Sequence, residues 1–235
     1  MRIFALGDPH LSFSQEGKEY KPMGIFGDKW VNHSEKIKQN WLKVVGEDDV
    51  VLIPGDISWA MELEEVKADM AFLDALPGKK IIIKGNHELW WDTISKVRRI
   101  LPPSIMAIQN DHVIINGSLA ICGTRGWSSP DGAFENEHDE KIYARELGRL
   151  SLSLKSVPKQ IKNIIVMLHF PPTNWKKELS PLVQLLIDYN VKICLYGHLH
   201  GYAIQNGLFG EHWGIDFALT SADYLNFTPR LICEV

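Results

Sequence analysis

Apolar and polar positions along this chain form blocks that predict strands and helices in turn. Short, β-branched apolar runs bounded by Gly, Pro or Asp are typical of buried strands. These runs are Ile3–Leu6, Val50–Ile53, Ile81–Ile83, Ile164–Leu168 and Val191–Tyr196. Apolar spacing of three and four residues predicts helices at Ser34–Val45, Met61–Leu76, Thr93–Leu101, Glu140–Val157 and Pro181–Tyr189, with Ser34 and Ser180 as caps. Asn-Gly pairs at 116–117 and 206–207 predict two hairpins, so we expect a mixed α/β fold of two sheets with helices outside.

Each predicted strand ends at a polar cluster that contains acid–base or metal-binding side chains. The clusters are Asp8-Pro9-His10, Gly55-Asp56, Gly85-Asn86-His87-Glu88, His169 and Gly197-His198-Leu199-His200. Loops beyond the carboxyl ends of neighbouring strands share one edge of a sheet, so clusters far apart in sequence can converge there. The pattern therefore predicts one site built from five loops.

The donor atoms of these clusters predict a two-metal hydrolytic site. If the backbone stays extended through Pro9, the side chains of Asp8 and His10 point the same way, toward one ion. The two carboxylate oxygens of Asp56 can bridge two divalent cations, and Asn86 offers a neutral carbonyl oxygen. With the imidazoles of His169, His198 and His200, the donors form a mixed nitrogen and oxygen set. Such a set suits Mn, Fe, Zn or Ni rather than Ca.

The length, composition and charge of the chain indicate its domain number, its partners and its location. With 235 residues and 45% hydrophobic content, we expect a single domain spanning residues 1–235. A net charge of −4 and a pI near 6.1 do not indicate a nucleic-acid or membrane partner, although a local basic groove would still admit nucleic acid. No signal peptide or membrane-spanning run is apparent, and the three cysteines are unclustered in apolar runs. A cytoplasmic protein with reduced thiols is expected.

The order of the five clusters resembles the calcineurin-like metallophosphoesterase superfamily. Its pattern is Asp-x-His, Gly-Asp, Gly-Asn-His-Asp/Glu, a later lone His and Gly-His-x-His, and the match spans most of the chain. The resemblance implies a four-layer αββα sandwich of two mixed β-sheets flanked by helices. It places Asp8, His10, Asp56 and His200 on one metal, and Asp56, Asn86, His169 and His198 on the other. His87 would face the substrate, as proton donor to the leaving oxygen or as stabiliser of transition-state charge.

The resemblance implies hydrolysis of a phosphomonoester or phosphodiester by a water that two divalent ions activate, with Mn favoured for activity. Asp56 and His87 would be the catalytic residues, and the substrate would be a small-molecule or nucleotide phosphoester. One alternative is a nuclease or cyclic-nucleotide phosphodiesterase on the same metals, with Trp30, Trp127 or Trp175 contacting a base. Another is a metal-stabilised scaffold that binds proteins. Neither a Gly-x-Ser-x-Gly nucleophile elbow nor a Walker loop is present.

The chain departs from one branch of the superfamily beside the Gly-Asp cluster. Protein Ser/Thr phosphatases place an Asp three residues after the bridging Asp and follow it with Arg-Gly, whereas this chain has Trp59 and Ala60. That branch is disfavoured, and the acid that would orient His87 is missing. Nearby acids that could replace it are Glu62, Glu64 and Asp92.

Two further expectations concern substrate contacts. The phosphatase arginines that grip phosphate have no matched position, and Arg125 is the candidate substitute because a guanidinium fork suits phosphate oxygens. Asn86 is the second candidate for a substrate contact. The irregular stretches Ser12–Asn32 and Thr124–Asp139 are expected to frame the cleft as functional loops. Among the other histidines, His33 and His212 could line the cleft, whereas structural or solvated roles are expected for His112 and His138.

Overall fold

The computed structural model describes all residues from 1 to 235. Its strands are β1 (Arg2–Ala5), β2 (Val50–Ile53), β3 (Lys79–Ile82), β4 (Ile105–Ala107), β5 (His112–Ile115), β6 (Leu119–Thr124), β7 (Asn163–Leu168), β8 (Ile193–Tyr196), β9 (Gly210–His212), β10 (Ile215–Leu219) and β11 (Arg230–Glu234). Its α-helices are α1 (His33–Val44), α2 (Lys67–Asp74), α3 (Ile94–Ile100), α4 (Glu137–Lys155) and α5 (Pro181–Asp188). Short 3₁₀ helices lie at Met23–Phe26, Asp28–Trp30 and Gly201–Asn206.

The strands form two mixed sheets. The first has the order β11-β1-β2-β3-β4, in which β1 to β4 are parallel and β11 pairs antiparallel with β1. The second has the order β5-β6-β7-β8-β10-β9, with a parallel centre from β6 to β10 and an antiparallel strand at each edge. Each sheet therefore brings the carboxyl ends of its central strands to one edge.

Alternating side chains of the strands divide between two hydrophobic layers. Ile3 and Ala5 of β1 point into a core of 14 buried residues that also contains Ile121 and Ile165 of the second sheet. Phe4 points the other way, into a core of 24 buried residues shared with helices α1 to α3. A third core of 20 buried residues joins the second sheet to α4 and α5. The layers run helix, sheet, sheet, helix, which confirms the predicted αββα sandwich of two mixed sheets.

The structure corrects two local predictions. Asn206-Gly207 does not form a hairpin turn, because the chain up to Asn206 is a 3₁₀ helix and Gly207 is extended, with φ of −67°. The hairpin of β9 and β10 turns instead at Trp213-Gly214, where both φ angles are positive. The predicted helix from Met61 begins only at Lys67.

The two predicted helix caps have different outcomes. The Ser180 side chain accepts a hydrogen bond from the N–H of Val183 at 3.1 Å, which confirms the cap of α5. Ser34 does not cap α1, because it lies inside the helix and donates its hydroxyl to Glu19. Among the helices, none combines the length and the apolar character needed to cross a membrane.

Candidate metal centre

The loops after β1 and β2 run side by side and bring the first two clusters together. The N–H of Asp8 donates to the carbonyl of Gly55 at 3.0 Å, and the N–H of His10 donates to the carbonyl of Asp56 at 3.0 Å. Asp8, His10 and Asp56 have φ angles of 54°, 47° and 50°. The backbone is therefore left-handed at both Asp8 and His10, so the condition of an extended chain through Pro9 is not met.

Left-handed backbone at non-glycine residues is uncommon and tends to persist at functional sites, where the surrounding structure enforces it. Besides those three residues, His198 also has a positive φ, of 72°. Four of the seven predicted metal ligands thus have this conformation. The main chain at these four residues therefore departs from regular secondary structure, and its conformation sets the direction of their side chains.

Six of the predicted ligands form two groups of three, and within each group the donor atoms lie within 4.8 Å of one another. The first group contains Asp8, His10 and His200, and the second contains Asp56, His169 and His198. Asp56 reaches toward both, because its Oδ2 lies 3.4 Å from Nε2 of His169 and 3.9 Å from Nε2 of His10. The carboxylate of Asp56 therefore lies where a ligand shared by two ions would stand.

Asn86 joins the second group. Its Oδ1 lies 2.7 Å from Nε2 of His169 and 2.9 Å from Nδ1 of His198, and these two nitrogens are 3.3 Å apart. Donor atoms that are roughly 3 Å apart are close enough to bind one ion through bonds of about 2.0–2.1 Å. The spacing of these three atoms matches that value.

The hydrogen bonds of His169 test whether this group fits a cation. Nδ1 of His169 can only donate to the carbonyl of Pro54, at 3.0 Å, so a neutral ring has its lone pair on Nε2. That lone pair faces Oδ1 of Asn86, which is also an acceptor. Two acceptors at this distance need a proton or a cation between them. The residues of the second group therefore fit a bound metal.

His200 supplies the same test for the first group. Its Nδ1 donates to Oδ1 of Asp223 at 2.7 Å, and its Nε2 is buried without any hydrogen-bond partner. Nε2 lies 4.0 Å from Oδ1 of Asp8. A carboxylate that fixes the far nitrogen of an imidazole is the usual outer partner of a metal-binding histidine. The unpartnered Nε2 is thus left available for an ion beside Asp8.

Burial and close charges perturb the titration of this cluster. Burial disfavours the charged form of His169, but the carboxylates of Asp56, Asp8 and Glu88 together outweigh burial and raise the pKa of His169 to about 9. Burial lowers the pKa of His198 to about 4, with repulsion from His169 in the same direction. Burial also lowers the pKa of His10 and raises the pKa of Asp8. Buried acids and imidazoles packed this closely are typical of a functional site.

Two cluster residues that are not predicted ligands, Gly197 and Glu88, have structural roles at the centre. A Cβ on Gly197 would lie 2.5 Å from Oδ2 of Asp8, so only glycine admits that carboxylate. The carboxylate of Glu88, fully buried, accepts the N–H groups of Asp56, Ile57, Ser58 and Gly85. Glu88 therefore ties the loop after β3 to the loop after β2.

His87 faces the open side of the centre. Its side chain is 40% exposed, and its Nε2 lies 3.9 Å from Oδ2 of Asp56. Trp59 packs against it with ring centroids 4.2 Å apart and also stacks on His10 at 5.0 Å. The aromatic ring thus packs beside His87 at the position where the phosphatases have a carboxylate.

None of the three acids suggested for orienting His87 does so. Neither a hydrogen bond nor an ion pair joins Glu62, Glu64 or Asp92 to it; Glu64 pairs with Lys67, and Asp92 pairs with Lys96. Glu64 and Asp92 thus pair with lysines, and His87 packs against the ring of Trp59 rather than against one of these three carboxylates.

The side chain of Arg125 contacts an acid and an indole ring. Its guanidinium pairs with Glu146 at 3.5 Å and lies over the ring of Trp127 at 4.8 Å. Its backbone carbonyl accepts the N–H groups of His169 and Phe170, each at 2.9 Å. The main chain of Arg125 therefore supports the strand end that carries His169, while its side chain is engaged elsewhere.

A cavity of about 360 Å³ opens beside His10, His87 and His200. The first irregular stretch, Ser12–Asn32, contributes four lining residues to it: Met23, Phe26, Lys29 and Trp30. The second stretch, Thr124–Asp139, contributes none, so only the first expectation of a loop framing this cavity is confirmed. His33 and His212 do not line it: His33 is buried against the carbonyl of His10 at 3.2 Å, and His212 is exposed.

Sequence reasoning missed two acids of the centre. Glu88 lies inside a recognised cluster, but its backbone contacts come from a neighbouring loop and have no local pattern. Asp223 has no motif around it. Only the pairing of β10 with β8 could have revealed it, since Leu219 pairs with Tyr196 and four residues beyond each lie Asp223 and His200.

Comparisons with known proteins find solved structures of similar fold. Phosphopantetheinyl hydrolase from Mycobacterium tuberculosis has a similar structure, with a TM-score of 0.61 and 14% identity over 100% of this chain and 96% of that chain. A protein of unknown function from Aquifex aeolicus is similar with a TM-score of 0.53 and 13% identity, over 98% and 95%. At these identities the likeness shows the fold alone. No curated protein matches the chain by sequence.

The family model of the calcineurin-like phosphoesterases matches residues 1–202. That range contains all five polar clusters and leaves out Asp223. Because the match spans most of the chain and every cluster that builds the centre, the chain belongs to the calcineurin-like phosphoesterase family.

Proposed function

We propose that this protein is a dimetal phosphoesterase that hydrolyses a small-molecule or nucleotide phosphomonoester or phosphodiester. Asp8, His10 and His200 would hold one divalent ion; Asn86, His169 and His198 would hold the other; and Asp56 would be shared. When bound, the two ions lower the pKa of a water and neutralise charge on the phosphoryl oxygens. Mn, Fe, Zn and Ni all suit these donors, and we expect Mn to support activity.

The observation that carries the proposal is the position of Asp56 between the two donor groups. Its carboxylate is nearly fully buried, at 2% exposure, and accepts the backbone N–H of His87 at 2.9 Å. Although burial opposes ionisation, His169 keeps the pKa of Asp56 below its ordinary value. An ionised carboxylate fixed between two imidazole groups supports a role as a shared ligand.

The chain itself would supply orientation and proton handling. His87 lines the open cavity, so its ring can reach the leaving oxygen of an ester that the centre binds. Burial lowers the pKa of His87, which favours donation of an N–H hydrogen bond from a neutral ring. Asn86 combines an expected metal contact with a position beside His87, and it remains our candidate for a substrate contact. Arg125 would serve through its backbone carbonyl, which holds His169 in place.

The test compares p-nitrophenyl phosphate with bis-p-nitrophenyl phosphate in the presence of Mn²⁺. We expect hydrolysis of at least one, and turnover of neither would contradict the proposal. Hydrolysis of the diester followed by cleavage of single-stranded DNA would favour the nuclease alternative. Metal binding without turnover of any phosphoester would favour the scaffold alternative.

Two variants separate the roles of the proposed catalytic residues. His87→Ala should lower turnover by about 100-fold while metal content stays unchanged, because general acid–base groups contribute on that scale. The exposed His138→Ala is its control. Asp56→Asn should lose metal, measured by elemental analysis, whereas the exposed Asp216→Asn should not. Two metals per chain in Asp56→Asn would rule out its shared role.

A further inference from the structure

The cavity beside the centre has an apolar wall and a charged rim. The apolar wall is formed by Met23, Phe26, Trp30 and Trp59. The remaining lining residues are Lys29, Gly201, Asp223 and the histidines His10, His87 and His200. Its volume of about 360 Å³ lies within the range of pockets that enclose small organic ligands. A group attached to a phosphoryl bound at the centre would therefore enter this space.

Most aromatic faces in the wall are already covered. One indole ring, that of Trp59, packs against His10 and His87 and has the ammonium of Lys21 over it at 3.0 Å. The other, that of Trp30, is 5% exposed and packs edgewise on His200 and Phe227. Phe26 is different, because 56% of it is exposed. The ring that remains open to an incoming apolar group is Phe26, with the buried Met23 in the same wall.

One lysine in this lining, Lys29, lacks an acidic partner. No carboxylate lies within 4.0 Å of its ammonium group. Asp223 is the carboxylate in the lining, and its two oxygens are occupied by Nδ1 of His200 and the N–H of Gly201. Positive charge next to an apolar wall complements an anion carried by an apolar group.

We propose that the natural substrate carries, on its leaving group, an apolar ring that packs on Phe26 and a second anionic group that binds Lys29. This specificity rests on the phosphoesterase function proposed above. Hydrolysis forms one P–O bond to the water oxygen and breaks the P–O bond to the leaving oxygen. One proton of the attacking water ends on the released alcohol, and the neutral ring of His87 can donate a hydrogen bond to the leaving oxygen as it departs. The second anion is unchanged and serves recognition.

The test uses pairs of ligands that differ by one carboxylate. Phenyl phosphate and 4-carboxyphenyl phosphate are the hydrolysable pair, supplied as their methyl diesters as well. Benzylphosphonate and 4-carboxybenzylphosphonate, which cannot be hydrolysed, are the binding pair, measured by calorimetry. All are compared in Mn²⁺-supplemented wild type, Lys29→Gln and the control Lys18→Gln, which removes an exposed lysine of the same loop that does not line the cavity.

For each pair, the preference for the carboxylate should fall about fivefold in Lys29→Gln and stay unchanged in Lys18→Gln, as expected for a partly exposed ion pair. Differences in intrinsic reactivity cancel, because each preference is compared between enzymes with the same ligands. In Phe26→Ala, both benzylphosphonates should bind about fivefold more weakly.

The outcomes distinguish this inference from the function on which it rests. If the esters are hydrolysed and Lys29→Gln changes neither preference, the specificity is wrong and the phosphoesterase function stands. If the carboxylated phosphonate is preferred through Lys29 but no ester is hydrolysed, the binding group is right and the phosphoesterase function is wrong. Absence of both hydrolysis and preference would overturn both.

Discussion

Replacing Asp223 with asparagine tests whether an acid outside the family match positions His200, a proposed metal ligand. Asp223 is 4% exposed, and its Oδ1 accepts the N–H of His200 Nδ1 at 2.7 Å. Its Oδ2 accepts the N–H of Gly201 at 3.1 Å. These two contacts fix the ring so that Nε2 is directed to Asp8. The substitution keeps the shape of the side chain but removes its charge.

The expected loss follows from these contacts. Asparagine has one acceptor oxygen, so either His200 or Gly201 must face its NH₂ group, and one hydrogen bond is lost. A hydrogen bond to a charged group is worth about 1.5–3 kcal/mol, and loss of an outer partner of a metal-binding histidine lowers metal affinity by about 10–100-fold. We therefore expect Asp223→Asn to weaken Mn²⁺ binding by about tenfold or more.

The assay is competition between the protein and a chelator for Mn²⁺, at fixed pH, for wild type, Asp223→Asn and the exposed control Asp216→Asn. Circular dichroism of each metal-free protein checks that the fold is intact. A Mn²⁺ affinity within twofold of wild type in a folded Asp223→Asn protein would refute the positioning role. An equal loss in Asp216→Asn would attribute the effect to net charge.

Three other substitutions test the packing and charge of the structure. Gly197→Ala should destabilise the protein by about 2 kcal/mol in urea denaturation and lower its metal content, because the new Cβ would overlap the carboxylate of Asp8. Gly148→Ala, in the exposed face of α4 where no atom lies within 4 Å, should stabilise it by up to about 1 kcal/mol. Burial raises the pKa of Asp69 to about 7. The folded protein therefore keeps the proton of Asp69 up to about pH 7, whereas the unfolded chain releases it near pH 4. Stability should therefore fall as pH rises from 4 to 7, by about 1.4 kcal/mol per pH unit relative to Asp69→Asn, and parallel pH profiles of the two proteins would contradict this.

The predicted strands that carry the polar clusters were confirmed because their signal is local. The run Val50–Ile53 is apolar at every position and is buried on both faces, as a central parallel strand must be. Edge strands have a weaker signal. Arg230–Glu234 is half exposed and polar at both ends, and its place in the sheet depends on pairing with β1, which no local pattern shows.

Turns show where local preference fails. The Asn206-Gly207 pair favours a hairpin by intrinsic preference, yet the 3₁₀ helix after His200 occupies that segment. The turn falls at Trp213-Gly214, although tryptophan rarely adopts a positive φ. Its indole packs edgewise on Phe217, with centroids 6.2 Å apart, so tertiary contact accompanies the unfavourable backbone. The turn preference of an Asn-Gly pair contains no information about such a tertiary contact.

Each of the two donor groups contains residues from both sheets, which links the candidate metal centre to the core beneath it. Asp8 and Asp56 follow strands of the first sheet, whereas His169, His198 and His200 follow strands of the second. A slip of one sheet against the other would separate both groups at once. The 14-residue core between the sheets opposes that slip, because interdigitated side chains at crystal-like density admit few alternative registers. The geometry of the centre thus depends on apolar residues outside the two donor groups. This is why the sequence motifs predicted which residues meet but not the distances between them.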